Sequence, residues 1–559
     1  METKGKSNNN TTADKQQGER RGRAVWLFLF TIVALAVPNV ALCFTEHMAL
    51  LPALSNVTLP VAAVWLLMTC CRRPGLMAWL LFPLIFLAAF QTVLLYLFGS
   101  AIISVDMFLN VVTTNPTEAI ELLDNLAPAL VIVAIVYLPI LIIATVSLRR
   151  KDLLNSRFLL RQRRYTLVGT AAGLVCLGAT YAADDDYELT ADLYPANVIY
   201  NIKLAVERDK ASRDYEANTA NFKFGSTASH NTDEREIYVL VIGETARAIN
   251  FGLYGYDRDT TPLLQKTDGV IVFADVLTQS NVTHKSVPML LSAASATDYE
   301  RLYREKGIIA AYREAGFHTV FISNQQPNHS FIDKLGMEAD EWMFIKEKAD
   351  KNADTTDENM LKVVEKVLAE GRRREFIVLH TYGSHFNYRD RYGDKDSYFK
   401  PDGRTEAKAS NRPSLINAYD NTIRCTDRFL HNLTTMLDRE GAISAWLYVS
   451  DHGENIFDDE RGLFLHSSPN PTEYELRVPM IMRLSAGYRK TYARTDSILR
   501  ANSRKKASSN AVVFHTMLET GGITTAFRND SMSLASSSYT PGKRYYINDR
   551  NEGEEVLLP

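Results

Sequence analysis

Cysteine is scarce in this chain: there are five in 559 residues. Cys43, Cys70, Cys71 and Cys176 fall inside apolar stretches, which leaves Cys425 alone in everything after Asp184. That part cannot close an internal disulfide, even in a compartment that would permit one. Strong net charge is missing too. At −3, the balance points to no nucleic-acid partner. Between Gly99 and Asn125 there is no lysine or arginine, while Asp106, Glu118, Glu121 and Asp124 are present. No internal repeat is found. No small-residue cleavage site follows the first apolar run, so a membrane helix is expected there and not a cleaved leader.

What the first third has in quantity is long apolar runs: Ala24–Phe44, Met48–Cys71, Leu76–Phe98, Ala127–Leu148 and Tyr165–Ala183. Each is about long enough to cross the ~30 Å hydrocarbon layer. Basic residues then set the orientation. Lys4, Lys6, Lys15, Arg20, Arg21 and Arg23 precede the first run, Arg72 and Arg73 join the second to the third, and a basic loop from Arg149 to Arg164 joins the fourth to the fifth. The N-terminus is therefore expected in the cytoplasm. Residues 1–23 read as a cytoplasmic tail, 24–183 as a five-helix transmembrane domain, 184–235 as a connector and 236–559 as an exported domain. Within the connector, "YPANVIYNIKLAVERDK" has helical spacing.

From Glu236 short apolar strands alternate with helical segments, which predicts a mostly parallel sheet with helices on both faces. In such sheets ligands bind beyond the carboxyl ends of the strands. "VLVIGE" ends at Glu244, "LYVSDHGE" at Asp451 and His452, and "IVLHTYGSH" at His385. Three strand ends thus bring carboxylates and imidazoles to one edge. This donor set suits Zn²⁺, with Mn²⁺ as the competitor. A metal-activated hydroxyl would serve as nucleophile. In "QSNVTHKSVPMLLSAAS" the candidates are Thr283 and Ser286, at the start of a helix whose amides favour phosphate; the alternative for Thr283 is an N-cap. "RANSRKKASSN", Arg500–Asn510, reads as a basic surface loop.

Taken in order, "GETAR…GYDRDTTP", "NVTHKSVP", "GSH", "INAYDNTI", "SDHGE" and "LFLH" resemble the phosphoethanolamine transferases, including the lipid A enzymes of colistin resistance. The resemblance implies an alkaline phosphatase/sulfatase-like α/β domain behind five transmembrane helices. It implies a zinc ion on Glu244, Thr283, Asp451 and His452, with Thr283 as nucleophile and room for a second zinc. His385 and His466 would contact the phosphoryl group, protonate a leaving oxygen or join that second zinc. Asn110, Thr114 and Glu118, spaced four apart, would hold the phosphoethanolamine head group; Asn115, Pro116 and Glu118 also read as a helix start. His329 falls where the lipid A enzymes carry a lysine, and the cysteines that flank their nucleophile are absent here. Phosphatidylethanolamine is the implied donor, lipid A or another lipopolysaccharide phosphate the implied acceptor, and a monomer in the bacterial inner membrane with a periplasmic catalytic domain the implied form.

Three rivals remain. A formylglycine sulfatase needs an arginine where Leu290 stands. A phosphoglycerol transferase shares fold and metal but not the "GETAR" and "NVTHKSVP" context. A catalytically inactive membrane scaffold would have no use for the intact donor set.

Overall fold

The computed structural model describes residues 5–98, 102–108, 127–185, 187–230, 232–328, 330–347, 356–468 and 470–558. The chain divides into two compact units between Ala205 and Val206.

The first unit is helical: α1 (Gly5–Thr45), α2 (Leu50–Thr69), α3 (Pro74–Leu80), α4 (Phe82–Phe98), α5 (Ala127–Val136), α6 (Leu138–Arg149) and α7 (Ser156–Ala183). Four stretches, Gly18–Thr45, Leu50–Thr69, Pro128–Arg149 and Ser156–Ala183, are long and apolar enough to cross a membrane; α3 with α4 makes a fifth, bent by 60°. The straight third crossing expected over Leu76–Phe98 is therefore broken. Pro83 explains the break, because its ring removes an N–H and clashes with the carbonyl one turn back. The basic loop expected up to Arg164 is also shorter, since α7 begins at Ser156 under an Asn155 side-chain cap. Inside this unit Asn39 and Asn56 exchange side-chain hydrogen bonds with each other's carbonyls at 2.7 and 3.0 Å. The connector's helical stretch is α8 (Ala196–Arg213).

The second unit is built on a seven-stranded sheet. Its strands are β1 (Glu236–Gly243), β2 (Val270–Val272), β3 (His318–Ser323), β4 (Glu341–Phe344), β5 (Arg374–His380), β6 (Ile443–Ser450) and β7 (Met480–Leu484), in the order β2-β7-β6-β1-β5-β3-β4. The ladders β1/β5, β1/β6, β3/β5 and β3/β4 are parallel, while β7 runs antiparallel to both β6 and β2. Every residue of β1 and β6 is buried, as continuous apolar runs in a sheet covered on both sides must be.

Alternate residues of β1 enter different cores. Tyr238, Leu240 and Ile242 pack with α9 (Thr283–Leu290) and α12 (Ser509–Thr520). Ile237, Val239 and Val241 pack with α10 (Glu358–Ala369) and α11 (Arg412–Arg439). This sandwich points the carboxyl ends of β1, β3, β5 and β6 at one edge. The surface loop expected at Arg500–Asn510 is not one. A helix ends at Asn502, a strand over Lys506–Ser508 pairs in parallel with Asp275–Leu277, and α12 follows at once. The buried Asn510 is a core hydrogen-bonding residue whose side-chain carbonyl oxygen accepts from Gln279 N and whose Nδ2 donates to Ser286 O.

Candidate metal and phosphoryl-transfer site

Glu244 is the first residue beyond β1, and Asp451 and His452 are the first two beyond β6. The ladder pairs Gly243 with Ser450, so these three side chains emerge side by side. All are buried, and one donor atom from each lies within 4.8 Å of the others. His452 Nε2 is 3.7 Å from Glu244 Oε1 and 3.3 Å from Asp451 Oδ2. Thr283 is the first residue of α9. Its Oγ1 lies 3.0 Å from His452 Nε2 and 3.4–3.5 Å from the two Glu244 oxygens. Val282 occupies the N-cap position without a side-chain cap, so Thr283 does not cap this helix.

The donor set fits a cation. His452 Nδ1 sits 2.8 Å from Gly453 O and so carries the proton, which leaves Nε2 as a lone pair facing the carboxylates. Asp451 Oδ1 accepts from Thr245 N at 3.0 Å and His452 N at 2.7 Å, while Oδ2 is buried and has no hydrogen-bond partner among the described residues. Glu244 Oε1 accepts from Thr245 Oγ1 at 2.6 Å and Oε2 from Gln325 Nε2 at 3.1 Å. Burial pushes the Glu244 carboxyl up; burial and then the Glu244 charge push Asp451 well up. Burial and the nearby His466 push His452 down. Among the described residues no lysine or arginine pairs with either buried carboxylate, and a divalent cation is a natural counter-charge for the two.

Two more imidazoles complete the edge. The His466 ring lies 4.2 Å from that of His452 and 6.5 Å from that of His385. Burial alone would lower His466, but the Glu454 carboxylate outweighs it and the net shift is upward; Nδ1 is 3.8 Å from Glu454 Oε2. His385 Nδ1 donates to Phe386 O at 2.6 Å, and the ring stacks on Tyr382. Burial, followed by the Arg391 charge, pushes His385 down to about 3. β5 ends at His380, five residues earlier than expected, and His385 reaches the site from the turn that follows. Gly383 makes that turn: its φ is +46°, and a Cβ there would lie 2.7 Å from Glu244 O.

Ser286 is placed differently from Thr283. It is fully buried one turn into α9, donates to Asp451 O at 2.6 Å and accepts from Asn510 Nδ2 at 2.9 Å. Asn110, Thr114, Glu118 and His329 lie outside the described residues. Sequence reasoning passed over Thr245, Gln325 and Glu454. Gln325 was findable, since it is the second residue beyond β3 as His452 is the second beyond β6.

The Sulfatase family model matches residues 236–523, and the model "Phosphoethanolamine transferase EptA/EptB" matches residues 60–208. A Kdo(2)-lipid A phosphoethanolamine 7''-transferase of Escherichia coli (strain K12) is 29% identical over 285 residues, 48% of this chain and 47% of that one. The chain spans about half the length of the curated relatives it matches. Its fold follows the integral membrane lipooligosaccharide phosphoethanolamine transferase A of Neisseria meningitidis with a TM-score of 0.72 at 23% identity, over 92% of this chain and 98% of that one. The zinc complex of the periplasmic domain of Escherichia coli EptC aligns with a TM-score of 0.54 at 22% identity, over 59% of this chain and 94% of that domain. With the Sulfatase model covering just over half of it, the chain belongs to the sulfatase family.

Proposed function

We propose that this chain is a zinc-dependent transferase that moves phosphoethanolamine from phosphatidylethanolamine to lipid A or another lipopolysaccharide phosphate at the bacterial inner membrane. The observation that carries this reading is the Thr283 hydroxyl at the mouth of the buried Glu244–Asp451–His452 group, 3.0 Å from His452 Nε2. Those three residues and Thr283 would hold the zinc ion. When bound, it supplies positive charge that acidifies a hydroxyl and polarises phosphoryl oxygens.

The chain's own residues divide the remaining work. Thr283 Oγ1 forms a bond to phosphorus, and the bond from phosphorus to the glycerol oxygen breaks, with the electron pair leaving on that oxygen. The threonine loses its proton and the departing diacylglycerol gains one. His466, with Glu454 behind it, would deliver it, and the neutral His385, its Nδ1–H given to Phe386 O, would offer the Nε2 lone pair to a second zinc. An acceptor oxygen then attacks phosphorus, the Thr283 oxygen leaves, and the threonine takes back a proton. Asn110, Thr114 and Glu118 are assigned to the donor's ammonium head and His329 to its phosphate. In this reading residues 1–23 are cytoplasmic, 24–183 cross the membrane five times, 184–235 connect, and 236–559 form a monomeric periplasmic catalytic domain. The names of the relatives support the acceptor, and the zinc complex of the EptC domain supports the metal.

Glu244→Gln tests the reading. It is isosteric and keeps an acceptor for Thr245, so the fold should survive while bound zinc and phosphoethanolamine on envelope glycolipids disappear together. A purified Gln variant with full zinc occupancy and unchanged glycolipid masses would refute it.

A further inference from the structure

The "INAYDNTI" segment has no part in the reaction just described. It lies on α11, and Tyr419, Asp420, Asn421 and Thr422 are all buried. Four successive helical residues point around the helix and cannot all face one core. Each of them hydrogen-bonds outside α11. Asp420 accepts from Asn250 Nδ2 and Tyr256 OH, Asn421 Oδ1 accepts from Tyr398 N and Phe399 N, and Thr422 Oγ1 donates to Ser384 Oγ. Tyr419 reaches the turn directly behind Glu244.

That turn has an unusual backbone. Thr245 has φ +60°, the left-handed region that a residue with a Cβ disfavours, and a β-branched one most of all. What the conformation achieves is visible in its bonds. Thr245 Oγ1 donates to Glu244 Oε1 at 2.6 Å, and Thr245 N donates to Asp451 Oδ1 at 3.0 Å. One residue therefore orients both carboxylates. The Tyr419 hydroxyl spans the turn: it donates to Thr245 O and accepts from Arg247 N, each at 2.8 Å. Its ring is fixed edge-to-face against Tyr388 at 5.1 Å. Only a group that donates and accepts from one atom can close the turn in this way.

We propose that Tyr419 is a positioning residue for the metal site, pinning Thr245 in the left-handed conformation from which it aims the carboxylates of Glu244 and Asp451. The inference rests on the metal-site reading above. It gives the tyrosine of "INAYDNTI" a role that no reacting atom reveals.

The test measures zinc affinity of the full-length protein in detergent, by titration against a competing chelator, alongside the unfolding temperature of the metal-free form. Tyr419→Phe keeps the ring and its packing and should weaken zinc binding roughly tenfold or more, within the 10–100-fold range of outer-shell partners. Thr245→Gly should also weaken it, because the hydroxyl is lost. In the double variant the two effects should not add, since glycine adopts the left-handed conformation unaided. An unchanged zinc affinity in Tyr419→Phe, with only the unfolding temperature lowered, would make the tyrosine merely structural. Additive effects in the double variant would do the same. Thr245→Val, which removes the hydroxyl and keeps the shape, gives a reading independent of how Tyr419→Phe folds; zinc affinity equal to the wild type there overturns the inference. Glu244→Gln runs beside them, and if it binds zinc normally the metal-site reading itself has failed, a result distinct from the others.

Discussion

Thr283 and Ser286 carry hydroxyls one turn apart on α9, and alanine at each should do opposite things. Ser286 Oγ donates to Asp451 O at 2.6 Å and accepts from Asn510 Nδ2 at 2.9 Å. Neither partner would be left bare in Ser286→Ala. Asp451 O still accepts from Thr278 Oγ1, and Asn510 Nδ2 still donates to Ser286 O. The loss is therefore two buried hydrogen bonds at about 1 kcal/mol each, or about 2 kcal/mol of stability. Thr283 Oγ1 caps nothing and, among the described residues, bonds only within the donor cluster, so Thr283→Ala should change stability by less than about 1 kcal/mol. Activity should order the other way. Removing a nucleophile abolishes the covalent route, a loss of up to roughly a millionfold, while Ser286→Ala leaves the attacking atom in place. Unfolding in detergent reads the first comparison. Incubation with a phosphatidylethanolamine analogue, digestion and mass mapping read the second. A phosphoethanolamine adduct on Ser286, transfer surviving in Thr283→Ala, or Thr283→Ala being the more destabilised variant would each refute the reasoning.

Two further outcomes follow from single contacts. Gly383→Ala places a Cβ 2.7 Å from Glu244 O and 2.9 Å from Glu244 N at φ +46°, so it should lower both the unfolding temperature and zinc affinity; an Ala variant with wild-type zinc affinity would contradict the packing. Glu338 accepts from Tyr215 OH at 2.5 Å and Gly307 N at 2.9 Å, and burial raises its carboxyl to about 7. The folded state then holds a proton that the unfolded state releases, so stability should fall as pH rises from about 4.5 through about 7, by at most about 3 kcal/mol and by less for a carboxyl partly open to water. Glu338→Gln should flatten that slope in denaturant titrations across pH, and an unaltered slope would show that Glu338 ionises freely.

Much of the site was legible because strand ends are. An apolar run long enough to be buried on both faces must stop, and in a parallel sheet the residues where β1 and β6 stop face one edge. Glu244, Asp451 and His452 are found by that rule alone, and Gln325 should have been. The sequence reading carries the strand on to His385, although it stops at His380 and the residues that follow, Thr381–Ser384, turn polar; Gly383 is the cue that the strand has ended. The break at Leu81 also had a signal in Pro83, hidden by an apolar run that continues across it.

Tyr419, Thr245 and Asn510 were not legible, for a physical reason. Periodicity reports which face of an element meets apolar neighbours. It says nothing about a buried hydroxyl or amide, whose partner is a backbone group supplied by a distant loop. Asn510 lies inside what reads as a basic loop because lysines and arginines dominate "RANSRKKASSN", yet its side-chain oxygen takes the backbone proton of Gln279 and its Nδ2 donates to Ser286 O. Thr245 looks like a spacer in "GETAR" until its φ is known. Such residues are recognised only when the backbone's donors and acceptors are accounted for one by one. Here that accounting ends at the two carboxylates the strand ends deliver: Thr245 donates to both, and the phenol of Tyr419 holds Thr245 in the left-handed conformation from which it does so.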